Sequence, residues 1–137
     1  MSAPDISASF RGDRATGVLL LLAGLSGGLG VALSAMAAHV PGGELLSSAA
    51  NMLLFHAPAF LALAALAALR ATGPRGVLAV ATLALAVGLA LFAGDLTSRV
   101  MLGDRLFPMA APTGGSLMIL GWAGILLAGA VRLVRRA

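Results

Sequence analysis

Four long apolar runs dominate this chain: Thr16–Ala38, Leu45–Leu69, Val77–Leu96 and Gly114–Val134. About 20 apolar residues wound as a helix rise about 30 Å, the thickness of a bilayer's hydrocarbon core. A soluble fold would need a polar surface to enclose so much hydrocarbon, and little is on hand to build one. Of the 137 residues, 60% are hydrophobic and 10% charged, against about 45–50% and 25% in soluble domains. The runs therefore predict lipid as the solvent of this fold. The expected architecture is all-α, an integral membrane four-helix bundle running up-down-up-down. One membrane domain covers residues 16–137, preceded by a short, polar, flexible amino-terminal segment over residues 1–15.

The charges fall between the runs and set the orientation. All nine basic residues are arginine. Arg11 and Arg14 precede the first run, Arg70 and Arg75 separate the second from the third, and Arg132, Arg135 and Arg136 end the chain. Only Arg99 and Arg105 lie on the opposite side, so the excess of positive charge in short loops predicts that both termini are cytoplasmic. Arginine as the sole basic residue, together with abundant alanine, points to a GC-rich bacterial genome and thus to the bacterial inner membrane. Arg11 and Arg14, the apolar stretch after them and Ala35-Met36-Ala37 imitate a secretory signal. That stretch exceeds the usual 7–15 residues, and its removal would leave an odd number of spans, so retention is expected.

Several function classes are excluded or disfavoured by what the chain lacks. It has no cysteine, which removes disulfides, thiol chemistry and cysteine-ligated metals. The net charge of +4 is scattered over segment ends with no basic stripe or aromatic platform, so nucleic acid is not an expected partner. No serine–histidine–acid set, phosphate-binding glycine loop or zinc motif is present, and neither catalysis nor a metal or other cofactor is expected. The first run holds no carboxylate, which argues against a proton-coupled small multidrug exporter of the same size.

Small residues and turns suggest how the runs pack. Gly24 and Gly28 form a GxxxG pair that Ala32 extends; such a ridge lets two helices approach closely in lipid, within the bundle or between copies. His39-Val40-Pro41-Gly42-Gly43-Glu44 and Arg70–Gly76 read as tight turns, with Pro41 ending the first helix and glycines supplying positive φ. Loops this short make neighbouring spans antiparallel. The third connection, Asp95–Gly115, is too apolar for a solvated loop and too charged for a span. Ser98–Leu102 reads as the end of the third helix or an interfacial turn. The remainder reads as a segment at the outer surface, with Phe107 and Met109 directed to lipid headgroups or to the bundle. Thr113, after Pro112, is placed as the N-cap of the last span. Trp122 lies somewhat deep for an interfacial belt and is expected to pack between helices.

Few side chains are left that could carry chemistry. His56 falls about 17 Å into the second run at 1.5 Å per residue, near the bilayer midplane. An ionisable residue there is by default a functional-site hypothesis. Pro58 also withholds a donor from the Leu54 carbonyl, and a neutral imidazole suits unsatisfied backbone groups, so a structural role is equally open to it. Asn51 is five residues from His56, about 140° round the helix, and cannot assist it. His39 ends the first run, where capping or snorkelling is the ordinary role. Asp95 and Arg99 stand one turn apart as an acid–base pair; with His39 they define an alternative outward-facing polar site.

Two clusters of residues resemble a known family. One is Leu102-Gly103-Asp104-Arg105 followed by Ala111-Pro112-Thr113-Gly114-Gly115-Ser116-Leu117 and Leu120-Gly121-Trp122. The other is Ala37-Ala38-His39 after a glycine-rich first span, then Ala50-Asn51 and Phe55-His56-Ala57. Together they resemble the domain-of-unknown-function 423 family of small inner-membrane proteins with mitochondrial relatives, over about Thr16 to Ala130. Pro112, Gly114, Gly115, Gly121 and Trp122 carry its most specific element. The family often has Gly-Ala-His-Gly where this chain has Ala37-Ala38-His39-Val40, and extra histidine or tyrosine where this chain has Met52, Leu53 and Leu54. The resemblance implies a four-helix membrane fold without an assigned activity, and the departures weaken any role for a histidine cluster. The expectation is a non-enzymatic accessory or assembly protein in contact with the lipid bilayer and with other membrane proteins or copies of itself. A small-solute or ion transporter using His56 and the 95–115 loop is the alternative.

Overall fold

A computed structural model describes the backbone of residues 6–68 and 75–134 and the side chains of residues 14–68 and 76–134. The described residues form four helices, α1 (Ile6–Ala37), α2 (Gly43–Ala68), α3 (Arg75–Met101) and α4 (Ala110–Val134), and no strand. Each contains a stretch long and apolar enough to cross a membrane: Arg14–Ala37, Gly43–Ala68, Gly76–Met101 and Ala110–Val134. Helix is the expected outcome because backbone amides and carbonyls in lipid have only each other as partners.

The helices overrun the apolar runs at several ends. Helix α1 begins at Ile6, so the segment read as flexible through Ala15 is helical from Ile6 onward. Helix α3 continues through Asp95, Ser98 and Arg99 to Met101. Asp95 and Arg99 pair with each other one turn apart, so their charges do not stop the helix there. Helix α4 starts at Ala110, and Thr113 donates its amide to the Met109 carbonyl at 2.9 Å. Thr113 is therefore inside the first turn and is not the N-cap; Met109 takes that place. Pro112 sits in the same turn, where the N–H that proline lacks would have no intrahelical partner.

Helices α1 and α2 pack as one antiparallel hairpin and α3 and α4 as another, with α2 against α3 joining the two. Among the described residues no comparable packing joins α1 to α4, so the up-down-up-down bundle is open, with α1 and α4 at its flanks. The buried cluster lies along the α2–α3 seam and includes Leu53, Phe60, Leu63, Leu85, Leu89 and Met118. Between α1 and α2 the turn is built on glycine: Gly42 has φ +78°, and a Cβ on Gly43 would collide with the Ala37 carbonyl. Residues 70–74 of the turn read over Arg70–Gly76 lie outside the described residues, as do Arg135, Arg136 and the Arg11 side chain.

Close helix contacts use glycines other than the expected pair. Gly27 approaches Ala57, and a Cβ on Gly30 would stand 2.7 Å from Leu54 Cγ. Between α3 and α4, Gly88 and Gly114 face each other so closely that a Cβ on either would lie 2.6 Å from the other's carbonyl oxygen. Gly121 and Gly124 continue this seam against Leu85 and Ala81. Gly24 and Gly28 meet nothing within 4 Å. Their ridge lies on the side of α1 turned away from α2 and makes no close contact among the described residues. Two residues back or on from buried Ser26 is about 200° of rotation, which is why the pair points outward.

Candidate functional site

The polar residues of the spans separate into two constellations. The first joins the hairpins near mid-membrane. His56 is buried on α2, 5% exposed, on the same face as Leu53 and Phe60. Its Nδ1 lies 2.7 Å from the Met52 carbonyl one turn earlier, and its Nε2 lies 3.3 Å from the indole Nε1 of Trp122 on α4. A carbonyl only accepts and an indole N–H only donates. The ring is therefore the Nδ1–H tautomer, donating to Met52 and accepting from Trp122. The Trp122 ring centroid is 5.9 Å from that of His56, tilted by 53°, and Phe60 follows at 6.5 Å. Both imidazole nitrogens are occupied, and the bond at Nδ1 goes to Met52 rather than to the Leu54 carbonyl that Pro58 leaves unserved.

Trp122 is 46% exposed: one flank of the indole covers His56 and the other faces outward. It is the partner that the sequence did not identify. The available signal was depth. His56 lies 13 residues from the start of α2 and Trp122 lies 12 from the start of α4, at the same end of the bundle. Side chains at about 20 and 18 Å along two helices that run in the same direction come level.

The second constellation closes the end of the α3–α4 hairpin where residues 102–109 connect the two helices. Asp95 is fully buried. Its Oδ2 takes a hydrogen bond from Arg99 Nη2 one turn on. Its Oδ1 accepts the Leu106 amide at 3.0 Å, and the Ala111 backbone amide adds a further bond. Ser98 Oγ donates to the Asp104 carbonyl at 2.8 Å. The first amides of α4 are thereby accounted for: Ala110 donates to Phe107, Ala111 to Asp95, Pro112 has none, and Thr113 donates to Met109. Asp95 thus caps α4 from a neighbouring helix, placing a carboxylate where the helix dipole favours negative charge. Arg99 Nε, by contrast, is buried without a partner.

Residues 102–109 are folded back by these bonds, while Leu102, Leu106, Phe107 and Met109 stay exposed. Met109 carries a φ of +69°, a conformation uncommon outside glycine. His39 is exposed, and its ring makes no hydrogen bond or ion pair with Asp95 or Arg99. The outward-facing set of His39, Asp95 and Arg99 is not assembled: Asp95 and Arg99 pair, and His39 stands apart. Among the described residues no three or more His, Asp or Glu side chains come together in a metal-binding group. Gly114 and Gly121 of the Pro112–Trp122 element form the α3–α4 contact, whereas Gly115 faces open space.

No solved structure matches the chain. Residues 33–115 match the family model described as protein of unknown function (DUF423). The matched stretch contains His39, Asn51, His56, Asp95, Arg99 and the Pro112-Thr113-Gly114-Gly115 turn; Gly24, Gly28, Gly121 and Trp122 lie beyond it. It covers more than half of the sequence, and the chain belongs to the DUF423 family.

Proposed function

We propose that this protein is a non-enzymatic, multi-pass component of the bacterial inner membrane, with both termini cytoplasmic, that packs against other membrane proteins as an accessory or assembly element. The carrying observation is the Gly24–Gly28 ridge. It lies on a flanking helix, has open space above both glycines, and offers the close backbone approach that drives helix association in lipid. The polar side chains support the same reading. Both nitrogens of His56 and both oxygens of Asp95 are taken up by intrachain bonds, which leaves no free general base or nucleophile at either place. A transporter would need a polar path linking His56 to the 95–115 connection, and these two constellations are stapled separately.

The test is gentle detergent extraction of tagged protein followed by mass spectrometry, with Gly24→Leu/Gly28→Leu in parallel. Stoichiometric membrane partners that are lost with the double variant are expected. A partnerless wild-type species, or partners indifferent to the substitution, overturns the proposal. Reporters fused to each terminus should both read the cytoplasm.

A further inference from the structure

Helix α2 turns an amide outward inside the membrane. Asn51 is the chain's only carboxamide side chain. It lies on the exposed face of α2 with Ser48, Phe55 and Pro58, away from the Ala50–Leu54–Ala57 face that meets α1 and from the Leu53–His56–Phe60 face. The 26 residues of α2 rise about 39 Å, some 9 Å more than the hydrocarbon core. Centred in the bilayer, the helix overhangs by about 4–5 Å at each end. Asn51, eight residues or about 12 Å beyond Gly43, then lies about 7 Å inside the hydrocarbon.

Ser48, Thr82 and Ser116 each donate to the carbonyl one turn back. The Asn51 amide makes no such bond and has no partner among the described residues. With two donor hydrogens and an acceptor, it faces a medium that offers neither.

We propose that this face of α2 binds a second copy of the chain, with the two Asn51 amides hydrogen-bonded to each other across a two-fold axis normal to the membrane. Copies of one protein insert with one orientation, so a second Asn51 arrives at the same depth. A primary amide is its own complement, since the carbonyl of each accepts an N–H of the other, and an isologous contact pairs each residue with its own equivalent near the axis. Phe55, 69% exposed, and Pro58 continue the contact one and two turns deeper. Glu44 stands on the same face two turns toward water, where solvent screens its approach to its counterpart. This surface is separate from the Gly24–Gly28 ridge and does not depend on it.

The test uses purified, fluorophore-labelled full-length protein in phospholipid vesicles, with energy transfer followed as lipid is added. Wild type should self-associate, and Asn51→Leu should weaken association about tenfold, the scale of an interhelical amide bond in lipid. Asn51→Gln should retain it, and Gly28→Leu should leave it unchanged. Because the chain has no cysteine, Asn51→Cys introduces a single thiol. Mild oxidation in the membrane should yield a disulfide dimer, while Ile119→Cys, exposed at similar depth on α4, should not. Monomers at every dilution overturn the proposal, whether Asn51 then faces lipid or a span of another protein. Association untouched by Asn51→Leu does so equally, while the Gly28→Leu result reports separately on the ridge.

Discussion

The sharpest test of the packing is one methyl group at Gly114. A Cβ there would stand 2.6 Å from the Gly88 carbonyl oxygen, 2.6 Å from the Phe92 amide nitrogen and 3.1 Å from Leu91 Cβ. Two of these atoms are backbone and have no rotamer to retreat into. Ordinary contact begins at 3.4 Å, so α3 and α4 must separate locally by about 0.8 Å. A gap of that size forfeits a quarter to a half of each contact worth about 0.1–0.2 kcal/mol. Spread over the few dozen atom pairs around Leu85–Gly121 and Ala81–Gly124, the loss comes to about 1–3 kcal/mol, the usual range for overpacking. The helix propensity gained by alanine, at most about 1 kcal/mol, offsets part of it. Gly28→Ala gains the same propensity and meets nothing within 4 Å. Unfolding by SDS titration in mixed micelles, followed by circular dichroism, should therefore place Gly114→Ala below wild type and Gly28→Ala at or slightly above it. Equal stability of the two variants would refute the assigned α3–α4 interface.

Two further outcomes follow from the polar constellations. His56→Phe keeps a ring of similar size but leaves the Trp122 indole N–H without its acceptor; a double-mutant cycle with Trp122→Phe should give a coupling of about 0.5–1.5 kcal/mol. Since Trp122 is the only tryptophan, its emission should also move to shorter wavelength in His56→Phe, and a null coupling with unchanged emission would remove the bridge between hairpins. Asp95→Asn should speed amide hydrogen exchange at Leu106 and Ala111, which donate to the carboxylate, while leaving Leu53 and Leu85 in the seam protected. Unaltered exchange at Leu106 would mean that Asp95 does not hold the connection.

The sequence was a good guide to where the chain crosses the membrane and a poor guide to which way each helix faces. In water, an apolar stripe marks the buried side of a helix. In lipid the outward side is apolar too, so Leu21 and Leu25, both exposed on α1, look like the buried Leu19. Gly24 and Gly28 were therefore readable as a ridge but not as an outward one. Helix ends were blurred for a related reason: Asp95 and Arg99 resemble loop residues by composition, yet they neutralise each other inside α3. The Asp95–Arg99 pair was legible because it is local, one turn apart. The His56–Trp122 bond and the capping of α4 by Asp95 span 66 residues and a helix boundary respectively, and no periodicity encodes them.

Satisfaction, more than chemical type, decides which polar residues of these spans point beyond the chain. Ranked by ionisability, His56 and Asp95 come first and Asn51 last. Ranked by what each still lacks, the order inverts. His56 has one acceptor and one donor and uses both; Asp95 accepts from a guanidinium and from backbone amides of the connection and of α4. His56 cannot bind a ligand without first giving up a bond that fixes the fold, and Asp95 is shut away from the surface among its own partners. Engaging the Asn51 amide breaks no hydrogen bond among the described residues. An unpartnered amide in hydrocarbon is a standing free-energy penalty, even if the cost is only partly realised in membranes, and a penalty that the monomer does not relieve is one that association can. With the nitrogens of His56 and the carboxylate of Asp95 engaged inside the chain, the outward-facing Asn51 amide and the Gly24–Gly28 ridge, on different helices, are the features on which the proposed contacts with other spans rest.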